Sequence, residues 1–226
     1  VKAGNELRDH CGGPLGVFLN RPSCLYFLGR YLQPRGLCLS DFRVVEINPR
    51  DMAAQFAVGR LPAIVSYDPW ALQAMEEGGG VCLATSADFP GCIPECLWAY
   101  EGLLKTVPPE DVIKMIQGWI RAVKWIGDPV NRAEFMEILS RRTFRKLGPF
   151  SEEDLSRLME GVRIHSPEEM WERNRDQGGL REYLLSLREF LRENCLLNRP
   201  YEVPDIFDNR FVMEALASER KEQNTD

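Results

Sequence analysis

Along the first ninety residues, short apolar runs alternate with segments of helical spacing. Gly12-Gly13-Pro14 reads as a turn feeding a short buried strand that runs to Leu19. Cys24 to Leu32 reads as a helix, capped by Asn20 or Ser23, with Pro22 suited to its first turn. After a loop from Pro34 to Ser40, Phe42 to Ile47 is a strand. Asn48-Pro49-Arg50-Asp51 opens a helix over Met52 to Val58, which Gly59 ends, and Leu61 to Ser66 is the next strand. Asp68-Pro69-Trp70 caps a further helix that stops at Gly78-Gly79-Gly80, and Val81 to Thr85 reads as a strand leaving the unit. Two strand–helix units of this length predict a parallel sheet.

Beyond Asp88-Phe89-Pro90-Gly91 the pattern changes. Cys92 to Tyr100 is expected to be extended, and the remainder is largely helical. Over Asp111 to Ile126, the residues Val112, Met115, Ile116, Trp119, Ile120 and Val123 recur at helical spacing and predict a core face. Further helices are expected at Pro129 to Ser140, at Ser151 to Gly161 with Ser151 as cap, at Pro167 to Asn174 and at Leu180 to Asn194. The tail from Ser218 is polar and expected to fray.

Composition narrows the classes. With 226 residues, 44% hydrophobic and 27% charged, the chain has enough apolar material for a sizeable core. A net charge of −6 argues against nucleic-acid binding, which needs a basic face. The basic run Arg141-Arg142-Thr143-Phe144-Arg145-Lys146 is short, is followed by Glu152, Glu153 and Asp154, and reads as a solvated helix end or loop. No apolar run approaches the roughly 20 residues that span a bilayer.

Seven cysteines, odd in number and mostly within apolar stretches, do not read as a disulfide framework. Cys92 and Cys96 form a C-x₃-C pair, but spacing nominates no further metal ligands, so neither a metal nor a cofactor is expected. His165, in the helix-entry context Arg163-Ile164-His165-Ser166-Pro167, reads as structural. Gly78 to Gly80 lacks the Lys-Ser/Thr of a phosphate loop, and no Ser/His/Asp arrangement has a convincing context, so no catalytic set is expected.

In open α/β sheets small ligands sit beyond the carboxyl ends of the strands. Asn20, Arg21 and Ser23 fall at such a strand end and helix start, where backbone N–H groups, a hydroxyl and a guanidinium suit an anion; plain helix capping explains Asn20 and Ser23 equally well. Tyr67, Asp68 and Trp70 follow the strand Leu61 to Ser66. Local capping rules account for them as well, although a carboxylate there suits a donor or cationic group and an indole supplies an apolar wall. Ser86, Asp88 and Glu95 are weaker candidates.

Several stretches together resemble a known family. Gly16 to Ser23, Ala53-Ala54-Gln55-Phe56-Ala57-Val58-Gly59-Arg60-Leu61-Pro62-Ala63-Ile64 and Tyr67-Asp68-Pro69-Trp70 look like solute-binding proteins of ABC importers in the nitrate, sulfonate, taurine and thiamine-precursor group. Gly118 to Ile126, Gly178-Gly179-Leu180 and Asp205 to Phe211 resemble its C-terminal half. The resemblance implies an α/β fold of the type 2 periplasmic-binding-protein kind, with one complete α/β lobe plus the helical C-terminal part of the other. Expected divisions are 1–11 crossover, 12–87 second lobe, 88–217 crossover and helical part, and 218–226 tail. The family carries further first-lobe elements ahead of the position of Val1, so a fragment, or an upstream part lying outside this sequence, is expected.

The resemblance implies a monomer in the periplasm or cell envelope that binds a small solute without chemistry and delivers it to a membrane permease. It implies cleft contacts from the loop holding Asn20 and Ser23 and from the Asp68 turn. A pyrimidine synthase of thiamine biosynthesis shares this fold and is one alternative, although its clustered cysteines are absent here; a sensing domain of a larger regulator is the other.

Overall fold

The computed structural model describes residues 1–19, 22–146 and 150–223, and divides into two units. The first comprises Val1–Glu95 with Leu185–Pro200, the second Cys96–Leu184 with Tyr201–Asp226.

The first unit is built on three parallel strands, β1 (Pro14–Val17), β2 (Arg43–Glu46) and β3 (Ala63–Val65), in the order β2-β1-β3. Between them run α1 (Pro22–Leu32) and α2 (Pro49–Ala57), and α3 (Trp70–Gly78) follows β3. β1 is central and buried on both faces, as a parallel strand covered by helices should be. On one face Leu15, Val17 and Ala63 pack with Leu25, Leu28 and Leu32 of α1 and with Phe42. On the other, Ile64 meets Ala53 and Phe56 of α2 and Ala74 and Trp70 of α3. Gly16 makes this second face fit: a Cβ there would stand 3.0 to 3.3 Å from Leu61, Met52 and Ile64.

Asn48, in the expected cap region, caps α2, its Oδ1 accepting the Asp51 N–H at 3.0 Å, and the helix begins at Pro49, three residues before the expected Met52. Asp68 is not a cap. The N-cap of α3 is Pro69, without a side-chain bond, and the Asp68–Pro69 peptide is cis.

The strand expected at Val81 to Thr85 is also corrected. Among the described residues that stretch joins no sheet; its backbone pairs with the first residues of the chain, through a Lys2–Gly80 bridge and paired bonds between Val1 and Val81 of 2.7 and 3.0 Å, while Ala84 packs on the core. Lys2 goes further. Its ammonium donates to Ala57 O at 3.3 Å and Gly78 O at 2.5 Å, the carbonyl-rich ends of α2 and α3, and lies 4.6 Å from the Phe56 ring. The 185–200 segment adds Phe190, edge-on to Tyr26 with ring centroids 5.4 Å apart, in a gap that Gly29 leaves open.

The second unit contains α4 (Glu101–Leu104), α5 (Pro109–Gly127), α6 (Arg132–Ile138), α7 (Glu152–Glu160) and α8 (Pro167–Asn174), then the first residues of α9 (Leu180–Glu193), with α10 (Val203–Ile206) and α11 (Arg210–Gln223). Its core pairs Ile116 and Ile120 of α5 with Ala215 and Leu216 of α11, flanked by Met170 and Trp171 of α8. Met115 and Trp119, expected on the core face, are 53% and 60% exposed. Each lies one residue, about 100° of helix, from Ile116 and Ile120, so the buried stripe is narrower than the apolar one.

Lys124 Nζ donates to Glu219 Oε2 at 2.6 Å across α5 and α11, and Arg220 lies over the Trp171 ring at 4.5 Å. Ser151 caps α7 as expected, and Ser166 caps α8 by accepting the Glu169 N–H at 3.2 Å. The basic run begins in a π-helical turn, Leu139–Thr143, where exposed Arg141 pairs with Glu137 at 2.8 Å. α11 continues through Ser218 to Gln223, so this part of the expected frayed tail is helical.

Candidate functional site

In the parallel register Val17 stands opposite both Glu46 and Val65. The three chains therefore leave the sheet side by side, at Phe18, Ile47 and Ser66. Phe18 leads toward α1 on one face, whereas Ser66 leads toward α3 on the other. Neighbouring strands whose exits diverge leave a crevice between them, which is where open α/β sheets take their ligands.

The rings of Phe18 and Tyr67 meet across this crevice with centroids 6.5 Å apart. Both are half-buried, and their contact joins the exits of β1 and β3. Asp68 stands at the rim, exposed in area but packed closely enough that desolvation raises its carboxyl above the usual range, with the Leu72 amide partly offsetting this. Ser23 is half-buried in the first turn of α1. Helices α1, α2 and α3 all begin at this end of the sheet, so their positive N-terminal poles favour negative charge while Asp68 opposes it. A ligand carrying both an acceptor and a donor or cationic group suits that mixture better than a bare anion.

The candidate residues divide accordingly. Tyr67 and Asp68 are at the crevice, and Ser23 is at the start of the helix that leaves it. Asn20 and Arg21 lie outside the described residues. Trp70 is half-buried and packs against Ala53, Phe56 and Ala74 on the α2–α3 face. Ser86, Asp88 and Glu95 are exposed, and the Asp88 carboxylate accepts the Thr85 N–H at 2.7 Å within its own turn.

Sequence reasoning missed Phe18, whose signal was its place immediately after β1. It also missed Ser66, the polar residue ending an otherwise apolar strand, whose Oγ is buried without a hydrogen-bond partner among the described residues.

No disulfide links the cysteines, and among the described residues no group of three or more His, Cys, Asp or Glu is placed to hold a metal ion. His165 lies in the second unit, 3.5 Å from Glu169, with its pKa lowered by burial and by Arg173. No helix among the described residues is long and apolar enough to cross a membrane.

The fold is that of a periplasmic binding protein. The crystal structure of a putative sulfonate ABC transporter component, the periplasmic sulfonate-binding protein SsuA from Methylobacillus flagellatus KT, superposes with a TM-score of 0.70 and 20% identity, over 97% of this chain and 64% of that one. The chain belongs to the NMT1-like family, whose profile matches residues 23–140, more than half of its length. The nitrate/nitrite binding protein NrtA of Synechocystis sp. is 25% identical over 112 residues, which is 50% of this chain and 25% of that protein. This chain therefore spans only part of either relative's length.

Proposed function

We propose that this chain is a non-catalytic solute-binding component of an ABC importer. It holds a small organic anion such as a sulfonate, or nitrate, or a heterocycle of the thiamine-precursor kind, at the carboxyl end of its parallel sheet. The observation that carries the reading is the meeting of Phe18 and Tyr67 across diverging strand exits, with Asp68 beside them. Membership in the NMT1-like family and the ligands in the names of the two relatives support it. The same reading makes the protein a periplasmic or envelope-associated monomer that engages a membrane permease.

The test is calorimetric titration of the chain with nitrate, ethanesulfonate, taurine and an aminopyrimidine. At least one is expected to bind saturably and without turnover, and Tyr67→Ala is expected to weaken that binding about tenfold or more. At 100 times its Kd, the ligand should stabilise the fold by about 2.7 kcal/mol. Binding indifferent to Tyr67→Ala, Asp68→Asn and Ser23→Ala would remove the crevice from the reading, and product formation would replace it with an enzyme.

A further inference from the structure

On the second unit, Arg141, Arg142, Arg145 and Lys146 are all exposed and fall within six consecutive residues. Six residues span at most about 18 Å of chain, roughly two screening lengths in physiological salt, so their fields merge. Arg141 is partnered by Glu137 at 2.8 Å, whereas Arg142, Arg145 and Lys146 form no ion pair among the described residues. Of the acids next along the chain, Glu153 pairs with Arg157 at 3.5 Å and Asp154 accepts the Ser151 hydroxyl at 2.7 Å.

The turn that carries these cations is held in place. Met136 and Leu139 are buried, the Phe144 N–H donates to Leu139 O at 2.8 Å to close the π-helical turn, and Phe144 meets Phe150 edge-on with ring centroids 5.6 Å apart. One side of the turn is committed to packing, and the charges are left on the solvent side. Ile138, 36% exposed and one helical turn ahead of Arg141 and Arg142, gives the same side an apolar contact.

The chain as a whole carries −6, so this cluster is a local reversal of sign. Near an anionic surface the bulk of the molecule is repelled and the cluster attracted. Both fields fade within about 8 Å, so the part in contact decides the outcome. An acidic peptide has to match the spacing of three free cations. A bilayer offers phosphates at every position, which guanidinium groups hold in pairs of hydrogen bonds, and its headgroup boundary accepts an exposed apolar side chain.

We infer that this cluster is a docking surface for anionic lipid headgroups. It uses the importer reading only in that such a protein works beside a membrane, and it does not depend on which solute the crevice holds.

The experiment sediments the whole chain, without solute, with vesicles of phosphatidylcholine alone and with about 30% phosphatidylglycerol, in about 0.1 M and about 0.5 M salt. Binding is expected only to the anionic vesicles and only at the lower salt. Arg142→Gln/Arg145→Gln/Lys146→Gln should weaken it tenfold or more, each such cation contributing about fivefold. Arg43→Gln/Arg50→Gln/Arg60→Gln, which removes the same charge from scattered exposed positions of the first unit, should stay within about twofold of the parent chain. The inference is overturned if the anionic vesicles do not sediment the chain at the lower salt, or if the two triple variants lose binding equally. Binding of polyglutamate in place of vesicles would also overturn it, in favour of an acidic protein partner. Failure here leaves the crevice reading standing, since no solute is present in this measurement.

Discussion

The two units solve burial in different ways. In the first, a central strand is sandwiched between α1 and the α2–α3 pair, and polar groups are left to the strand exits and helix starts. In the second, amphipathic helices bury narrow stripes, and charge enters the packing itself: Lys124 reaches Glu219 across two helices, and Arg220 covers Trp171. A sheet edge gathers loops at one end and so makes a place for a ligand. Helix stripes distribute their polar groups along the surface and make a scaffold.

Removing a keystone from each core gives the largest expected effects. Phe56→Ala should cost about 4 kcal/mol and Ile120→Ala about 3 kcal/mol. Denaturant unfolding followed by site-specific probes then decides whether each loss stays in its own unit; if both probes shift together in both variants, the units unfold as one and the contrast is static only.

Lys124→Met comes next, at about 2 kcal/mol, because it strands a carboxylate whose side chain is only 9% exposed. The double variant Lys124→Met/Glu219→Leu should recover most of that loss. Helix caps sharpen the comparison from the other side. Asn48→Ala in the first unit and Ser166→Ala in the second should each cost about 1 kcal/mol, since a cap answers to its own turn whatever the unit.

The smallest effects differ in sign. Arg163 and the Ser166 amide hold the Glu169 carboxyl down at about 2, below its ordinary 4.5. Its contribution is therefore complete above pH 4.5 and lost as pH falls toward 2, and Glu169→Gln should lower stability at neutral pH and flatten that window. The Asp68 carboxyl is raised by burial, so its charged form costs stability, and the cost is relieved as pH falls through the folded value. Asp68→Asn should stabilise at pH 7. Unfolding measured between pH 7 and 2 checks both slopes.

What was legible in the sequence was local. The strands β1 to β3, the Asn48 and Ser151 caps and the helices α5, α7 and α8 followed from spacing and turn residues within a few positions. Val81 to Thr85 had strand composition, but the distant backbone that Val81 pairs with is the first residue of the chain, which no local pattern reveals. Met115 and Trp119 were misplaced because apolar spacing marks a stripe without marking its edges. At the crevice, Tyr67 and Asp68 were legible as the polar and aromatic turn after a strand. The facing of Phe18 and Tyr67 was not, because it arises from β1 and β3 being neighbours in space, with β2 between them in sequence.

The Lys2 ammonium holds carbonyls 55 and 76 residues away in sequence. During synthesis, that side chain stays without these partners until the chain has grown past Gly78. At 5 to 20 residues per second the wait is about 4 to 15 s, long compared with the microseconds in which a helix forms. The ends of α2 and α3 are therefore closed late, by one of the first residues of this sequence to be made, and a chain halted between Ala57 and Gly78 holds its α1 and α2 segments without that clasp.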